Sequence, residues 1–335
     1  MEVSQVKINS NKKYSVIYER ERKKIDSLLK NSVKNRKPES LYEPVEYLIG
    51  SNGKRIRPLL VLFSTKAAGG RFADSYNAAV AMELLHNFTL VHDDIMDNAD
   101  KRRGRLTLHK KYDQNTAILA GDSLLSVAYE YILKDCKGNA KDIIASFTNG
   151  LIEVCEGQSL DTDFEKRYNV SLNEYLLMIR KKTASMIKIC CEVGATLGGG
   201  SKEEVKAISN YGLNLGIAFQ IQDDLLDISA EEAKLGKKIG GDLLEGKKTY
   251  LFLKAIEKAK GDDKKALLKV IKNKGIRINQ INKYKMLYEK LNVIEDAKYA
   301  INLYTQKALK SLPVLKEEDT EMLIWFADNL VKRNK

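Results

Sequence analysis

The sequence predicts an all-α protein, and three observations lead there. The 335 residues hold only four prolines, Pro38, Pro44, Pro58 and Pro313, and none interrupts a long apolar-periodic run. The glycines fall mostly between such runs, as at Gly69-Gly70 and Gly198-Gly199-Gly200, where helices can end. No alternating strand pattern bounded by hairpin turns occurs, nor any repeat of fixed period.

The elements follow in order. Residues 1–15 are polar and read as an N-terminal arm, and an amphipathic helix fits 14–29. A loop around Pro38 leads to a helix over 41–49 that Gly50 ends. Ser51-Asn52-Gly53 makes a turn, and Pro58 suits the first turn of the helix that follows. A long apolar helix covers 74–97, with a basic loop over 98–111. Helices are expected over 114–134, 139–163, 171–197 and 202–228, then a Gly/Lys-rich loop over 229–248. Four or five further helices fill 249–332, interrupted near Gly261, Gly275 and Pro313. Nothing resembles an interdomain linker, so 16–335 reads as one helical domain.

The net charge of +12 and pI of about 9.2 suit polyanionic partners: nucleic acid, anionic lipid or small phosphorylated substrates. The lysines are spread along the whole chain, however, so most of the excess is ordinary solvated surface, and nucleic acid is not expected as a partner. Cys136, Cys155, Cys190 and Cys191 form no C-x-x-C pair and read as reduced core or boundary thiols. The first residues lack the apolar stretch of a signal peptide, and no run of about 18 apolar residues could span a membrane, so a cytoplasmic location is expected.

Two acidic clusters carry the chemistry. Asp93-Asp94-Ile95-Met96-Asp97 and Asp223-Asp224-Leu225-Leu226-Asp227 each end a long, largely apolar helix. In each, the first and last Asp are four apart, which stacks them on one helix face. Aspartate is a poor helix former, negative charge opposes the dipole at a helix C-terminus, and stacked carboxylates repel. Such a site is kept only if cations relieve the repulsion. Hard oxygen ligands on a rigid spacing suit Mg²⁺, which takes one or two carboxylates and completes its octahedron with phosphate and water.

With these clusters the sequence resembles the trans-isoprenyl diphosphate synthases, or polyprenyl synthetases, over most of its length. Gly53-Lys54-Arg55-Ile56-Arg57-Pro58 is similar to the family's first substrate loop, and Asp100-Lys101-Arg102-Arg103-Gly104 continues the first acidic motif in the family's spacing. Leu119-Ala120-Gly121-Asp122, Glu156-Gly157-Gln158, Lys182-Thr183-Ala184, Phe219-Gln220 and Gly240-Gly241-Asp242 with Gly246-Lys247 match further segments in the same order. The resemblance implies a bundle of helices around a deep central cavity, the isoprenoid-synthase fold, usually as a homodimer. It implies a Mg²⁺-dependent enzyme, with three ions per site, that ionises an allylic diphosphate (dimethylallyl, geranyl or farnesyl) and joins it to isopentenyl diphosphate.

The resemblance also distributes roles. Asp93, Asp97 and Asp223 form the metal clamp, with Asp94, Asp224 and Asp227 as supporting carboxylates. Arg102, Lys182, Lys238 and Lys247 hold the allylic diphosphate, and Lys54, Arg57, His86 and Arg103 hold the isopentenyl diphosphate without metal, where planar guanidinium forks suit phosphate oxygens. Thr183 and Gln220 offer oxygen dipoles to the allylic cation, and the released pyrophosphate takes the final proton. Many relatives have Lys-Pro where this chain has Lys237-Lys238, so either lysine fits that role.

Product length is read below Asp93, where each helical turn reaches about 5.4 Å deeper. Phe88 and Thr89 lie five and four residues before it, at positions that form part of the cavity floor in the family. Relatives that stop at fifteen carbons often have aromatics at both positions, and long-chain relatives have small residues. One aromatic and one small residue, without the two-residue insertion of many bacterial farnesyl synthases, resembles the archaeal type that makes geranylgeranyl diphosphate. Farnesyl diphosphate, or both products, is the alternative. Terpene cyclases share the fold but carry a different second metal motif. Regulatory subunits usually lose an acidic motif, and this chain keeps both.

Overall fold

The computed structural model describes residues 2–51, 53–229 and 240–331. The described chain is helical throughout, apart from one very short hairpin. It divides into two compact units, each drawn from three stretches: Met1–Phe147 with Cys190–Ile208 and Val314–Trp325, and Thr148–Ile189 with Ser209–Pro313 and Phe326–Lys335. Interleaved stretches leave no linker in the sequence, so the single domain expected over 16–335 gave no sign of this division.

In the first unit, helix α1 runs Glu2–Val33, so it starts well before the expected residue 14 and takes in the polar arm. The stretch holds neither Gly nor Pro, and nothing in it stops a helix. Helices α2 (Glu39–Ile49), α3 (Ile56–Ala67) and α4 (Tyr76–Met96) follow. Ala78–Leu85 of α4 are buried on every face, as are Leu59–Phe63 of α3, which marks both as central helices. Asp135 anchors the start of α4, accepting from the Ala78 amide at 2.8 Å and from Asn77 Nδ2 at 2.7 Å. The expected basic loop over 98–111 contains a hairpin, β1 (Lys101–Arg102) against β2 (Arg105–Leu106), and the short helix α5 (Leu108–Lys111). Arg103 and Gly104 turn the hairpin at φ of 52° and 76°, the left-handed pair that a two-residue turn between twisted strands requires. Helix α6 (Gln114–Lys134) packs along α4, and Ala117, Ala120, Leu124, Ala128 and Ile132, spaced three or four residues apart, make its buried face.

Helix α7 (Ala140–Lys166) crosses into the second unit. The single helix expected over 171–197 is three elements: α8 (Leu172–Ile179), a π-helical turn over Arg180–Ala184, and α9 (Ser185–Leu197). Helix α10 (Lys202–Ser229) carries the second acidic cluster. The short α11 (Gly241–Glu245) is followed by α12 (Tyr250–Lys258), α13 (Gly261–Asn273), α14 (Ile281–Lys290), α15 (Val293–Leu309) and α16 (Glu317–Val331). Tyr211 and Tyr288 are among the largest fully buried side chains, and the core of this unit gathers Ile179, Ile221, Phe252, Leu267 and Val293. Cys190 and Cys191 are buried as expected, Cys136 is half-buried, and Cys155 is exposed rather than a core thiol. Among the described residues, no helix is long and apolar enough to cross a membrane.

Candidate active site

The first acidic cluster closes α4. Asp94 turns inward, is 3% exposed, and accepts from Arg102 Nε at 2.7 Å. Asp93 is half-buried and Asp97 exposed. This is the split that a 3.6-residue period imposes on D-D-x-x-D: the first and last residues share a face and the second does not. Burial raises the Asp94 carboxyl against the pull of the Arg102 charge. The hairpin that carries Arg102 is tied to the cluster by its own backbone. The Ala99 amide donates to the Asp94 carbonyl at 2.9 Å, and the Thr107 hydroxyl donates to the Ala99 carbonyl at 2.7 Å.

The Gly53–Pro58 loop brings basic groups to the same unit. Arg55 adopts a left-handed conformation at φ 51° and is buried. It donates through Nε to Asp26 at 2.7 Å, through Nη1 to Glu83 at 2.6 Å and through Nη2 to the Ser51 carbonyl at 2.9 Å. Each nitrogen of this guanidinium donates inside the protein, so Arg55 anchors the loop to α1 and α4. Sequence reasoning did not single it out. Arg57, two residues on, is the opposite case. Its Nη1 lies 3.1 Å from His86 Nε2, and its Nε is buried with no hydrogen-bond partner among the described residues. A guanidinium only donates, so His86 Nε2 accepts and the imidazole proton sits on Nδ1. Burial, then the charges of Arg57 and Arg103, hold His86 well below its ordinary 6.5. Arg103 Nη1 reaches the Ser51 hydroxyl at 3.4 Å, and Tyr18 donates to the Lys54 carbonyl at 2.5 Å. Lys54, Arg57, His86 and Arg103 thus belong to one set of adjoining elements. Further along α4, Phe88 packs at a tilt of 50° against His92 with ring centroids 4.6 Å apart, and the Thr89 hydroxyl donates to the His86 carbonyl at 2.9 Å.

The second unit holds the second cluster. Asp223 is exposed and Asp227 half-buried, whereas Asp224 is 7% exposed. Asp224 accepts from the Tyr175 hydroxyl, from the Tyr250 amide at 2.9 Å and from Gln220 Nε2 at 3.1 Å. Burial raises its carboxyl to about 6 in spite of these donors. Asp227 receives the Gly240 amide on its carbonyl at 2.8 Å and the Asp242 amide on Oδ2 at 3.2 Å. Burial, with Asp227 and Asp224 nearby, pushes the Asp242 carboxyl well above the usual carboxylate range. Such a concentration of acidic groups is what a cation would stabilise. Lys247 follows on the same loop, its amide donating to the Asp242 carbonyl at 2.8 Å and its Nζ pairing with Glu245 at 2.8 Å.

Lys182 and Thr183 sit in the π-turn. Lys182 Nζ donates to Asp161 Oδ2 at 2.6 Å, and the Thr183 hydroxyl donates to Gln220 Oε1 at 2.9 Å. A π-turn widens the helix by one residue and is common at functional sites. Here two glycines admit it. A Cβ on Gly157 of α7 would stand 2.2 Å from the Lys182 nitrogen, and one on Gly216 of α10 would stand 2.6 Å from Ala184 Cα. Sequence reasoning missed the π-turn, Asp161, Tyr175 and the raised carboxyl of Asp242. The nearest signals were the motif glycine Gly157 and the unassigned Asp242. Lys238 and its neighbour Lys237 lie outside the described residues.

Among the described residues, no three carboxylate, imidazole or thiolate groups converge to hold a metal by themselves. The donors at both clusters are hard carboxylate oxygens, which fit a Mg²⁺ that keeps phosphate and water in its shell.

Comparison with known proteins gives a consistent picture. The sequence profile described as polyprenyl synthetase matches residues 38–291. A short chain isoprenyl diphosphate synthase of Methanothermobacter thermautotrophicus is 38% identical over 92% of this chain and 95% of its own. A geranylgeranyl diphosphate synthase of Sulfolobus acidocaldarius is 37% identical over 93% of this chain and 96% of its own. Among solved structures, a polyprenyl synthase of Caulobacter crescentus complexed with calcium and isoprenyl diphosphate superposes at a TM-score of 0.87, with 27% identity, covering 97% of this chain and 98% of its own.

Proposed function

The chain belongs to the polyprenyl synthetase family, and on that premise we propose that it makes geranylgeranyl diphosphate by repeated addition of isopentenyl diphosphate to allylic diphosphates. It is a trans-isoprenyl diphosphate synthase. The observation that carries the reading is the repeated construction of the two acidic helix ends. In each, the second Asp is buried and held by protein donors, while the first remains at least partly exposed.

Asp93, Asp97 and Asp223 are the proposed metal clamp, with Asp94, Asp224 and Asp227 in support and three Mg²⁺ per site as the working stoichiometry. Mg²⁺, when bound, draws off charge that develops on the departing diphosphate. Lys182, Arg102 and Lys247, with Lys238, receive the allylic diphosphate. Lys54, Arg57, His86 and Arg103 receive the isopentenyl diphosphate. The buried Arg57 Nε–H, which no group among the described residues satisfies, supports that placement, because a phosphate oxygen would complete the fork. His86, neutral and protonated on Nδ1, adds a donor without adding charge. Thr183 and Gln220 orient oxygen dipoles toward the allylic cation, and the released diphosphate accepts the last proton. Phe88 and Thr89 set the floor under the growing chain.

The working enzyme is proposed to be a cytoplasmic homodimer. The exposed Leu119 and Leu133 of α6, at 60% and 49%, with Met96 at 55%, offer apolar surface for a second copy to cover.

The test is direct. Purified protein, Mg²⁺, labelled isopentenyl diphosphate and primers of five, ten or fifteen carbons should give a twenty-carbon product. A product that stops at fifteen carbons would favour the farnesyl alternative, and no product from any primer would defeat the reading.

A further inference from the structure

Gln220 and Asp224 are one turn apart on α10. Asp224 is buried, and its oxygens already serve three donors. Oδ2 takes the Tyr175 hydroxyl from α8 and the Tyr250 amide from the first turn of α12, and Oδ1 takes Gln220 Nε2 at 3.1 Å. A metal on this buried carboxylate would compete with three hydrogen bonds for its lone pairs, and any donor it displaced would be left unsatisfied. We infer that Asp224 and Tyr175 are positioning residues, which fix the direction of the Gln220 amide, and that the support Asp224 gives the clamp is not direct coordination of metal.

The argument turns on donor and acceptor capacity. An ionised carboxylate only accepts, so the amide must present its NH₂ to Asp224. Its oxygen then points the other way, where it accepts the Thr183 hydroxyl at 2.9 Å. One buried charge therefore decides which end of the amide dipole faces the Thr183 side. The oxygen end stabilises a carbocation and the NH₂ end would repel it. Tyr175 and the Tyr250 amide hold Asp224 against rotation, so the chain Tyr175–Asp224–Gln220–Thr183 runs from the core of the second unit to the proposed cation. This role rests on the proposed function, in which Thr183 and Gln220 face an allylic cation.

Asp224→Asn separates the possibilities. Its oxygen must stay with the Tyr175 and Tyr250 donors, so its NH₂ meets the Gln220 NH₂ and the glutamine turns over. We expect kcat to fall about tenfold or more, with both KM values and the half-saturating Mg²⁺ within about threefold of wild type. In the double variant Asp224→Asn with Gln220→Glu the donor and acceptor exchange places. A Glu oxygen accepts from the Asn NH₂, the other faces Thr183, and kcat should return to within about fivefold of wild type. A rise of about tenfold in half-saturating Mg²⁺ for Asp224→Asn, or a double variant no faster than the single, overturns the inference. Tyr175→Phe removes one hydroxyl from the chain and keeps the ring in the core. It should lower kcat about threefold or more at unchanged KM, and an unchanged kcat overturns the inference even where Asp224→Asn does not fold. Wild-type protein runs in the same assay. If it fails to condense the substrates, the proposed function has failed and not the positioning chain.

Discussion

Gly157 of α7 lies against the backbone of Lys182, so closely that a Cβ on the glycine would stand 2.2 Å from the Lys182 nitrogen. With Gly216 on α10 against Ala184, it leaves room for the π-turn that carries Lys182 and Thr183. Gly157→Ala should force that turn to shift. Overpacking of this kind costs about 1–3 kcal/mol, read as a lower unfolding midpoint. The displaced Lys182 should also raise the allylic KM, while the isopentenyl KM stays near wild type. Equal effects on both substrates would count against a local role for the turn.

Asp93→Ala and Asp223→Ala test the metal clamp. Removal of a group that stabilises developing charge costs on the order of 10²–10³ in rate or more. Circular dichroism should show the helices intact in both, because neither carboxylate is buried. Near-normal turnover of both variants in Mg²⁺ would defeat the two-cluster reading.

Arg57→Ala and Lys182→Ala separate the two diphosphates. A hydrogen bond to a charged group is worth about 1.5–3 kcal/mol, or roughly tenfold to a hundredfold. Arg57→Ala should raise the isopentenyl KM by that order and leave the allylic KM alone. Lys182→Ala should raise the allylic KM and lower kcat as well. The assignment fails if steady-state kinetics with each substrate varied give one pattern for both.

The geometry of the acidic helix ends was legible, because spacing alone decides which carboxylates share a face. The i, i+4 spacing within each acidic cluster predicted a shared face for the outer aspartates, and Asp94 and Asp224 are the ones that turn inward. The long helices were legible because their apolar faces repeat with the helical period, as α6 does from Ala117 to Ile132. The anchoring role of Arg55 was not, because nothing in the residue type distinguishes it from Arg57 at the start of the same helix. Only the positions of Asp26 and Glu83 make Arg55 the anchor. The π-turn was hidden for a similar reason. Nothing within Arg180–Ala184 calls for it, and the two glycines that admit it lie on other helices.

His86 makes a prediction about pH. Burial and the neighbouring arginines hold it well below 6.5 in the folded protein, so the unfolded chain takes up a proton there that the folded state refuses. Stability is then flat above the unfolded value and falls as pH drops through about 6.5, by up to about 1.4 kcal/mol per pH unit. His86→Gln keeps an acceptor for Arg57 and does not titrate. Its stability from urea unfolding should decline less than wild type between about pH 7 and pH 5, by roughly 2 kcal/mol. Parallel curves for the two proteins would show that His86 does not titrate in this way.

The floor of the product cavity gives a prediction with two opposite arms. Phe88 lies five residues before Asp93, about 7.5 Å along α4 at 1.5 Å per residue, and its ring is held on His92 at 4.6 Å. Phe88→Ala removes that ring and opens space for a further isoprene unit. Apolar burial favours the longer tail by about 0.8 kcal/mol per CH₂, so the product distribution should move beyond twenty carbons. Thr89→Phe adds a ring one turn below Asp93 and should shorten the product toward fifteen. It also removes the Thr89 hydroxyl from the His86 carbonyl, a local bond whose loss leaves the helical backbone intact. Neither change alters a proposed metal or diphosphate ligand, so the first condensation should survive in both. The measurement is the chain-length distribution of dephosphorylated products at limiting primer. If Phe88→Ala keeps full activity with an unchanged distribution, the ring is packing alone. The floor then lies deeper or on another helix, and the twenty-carbon assignment rests on the likeness to its relatives.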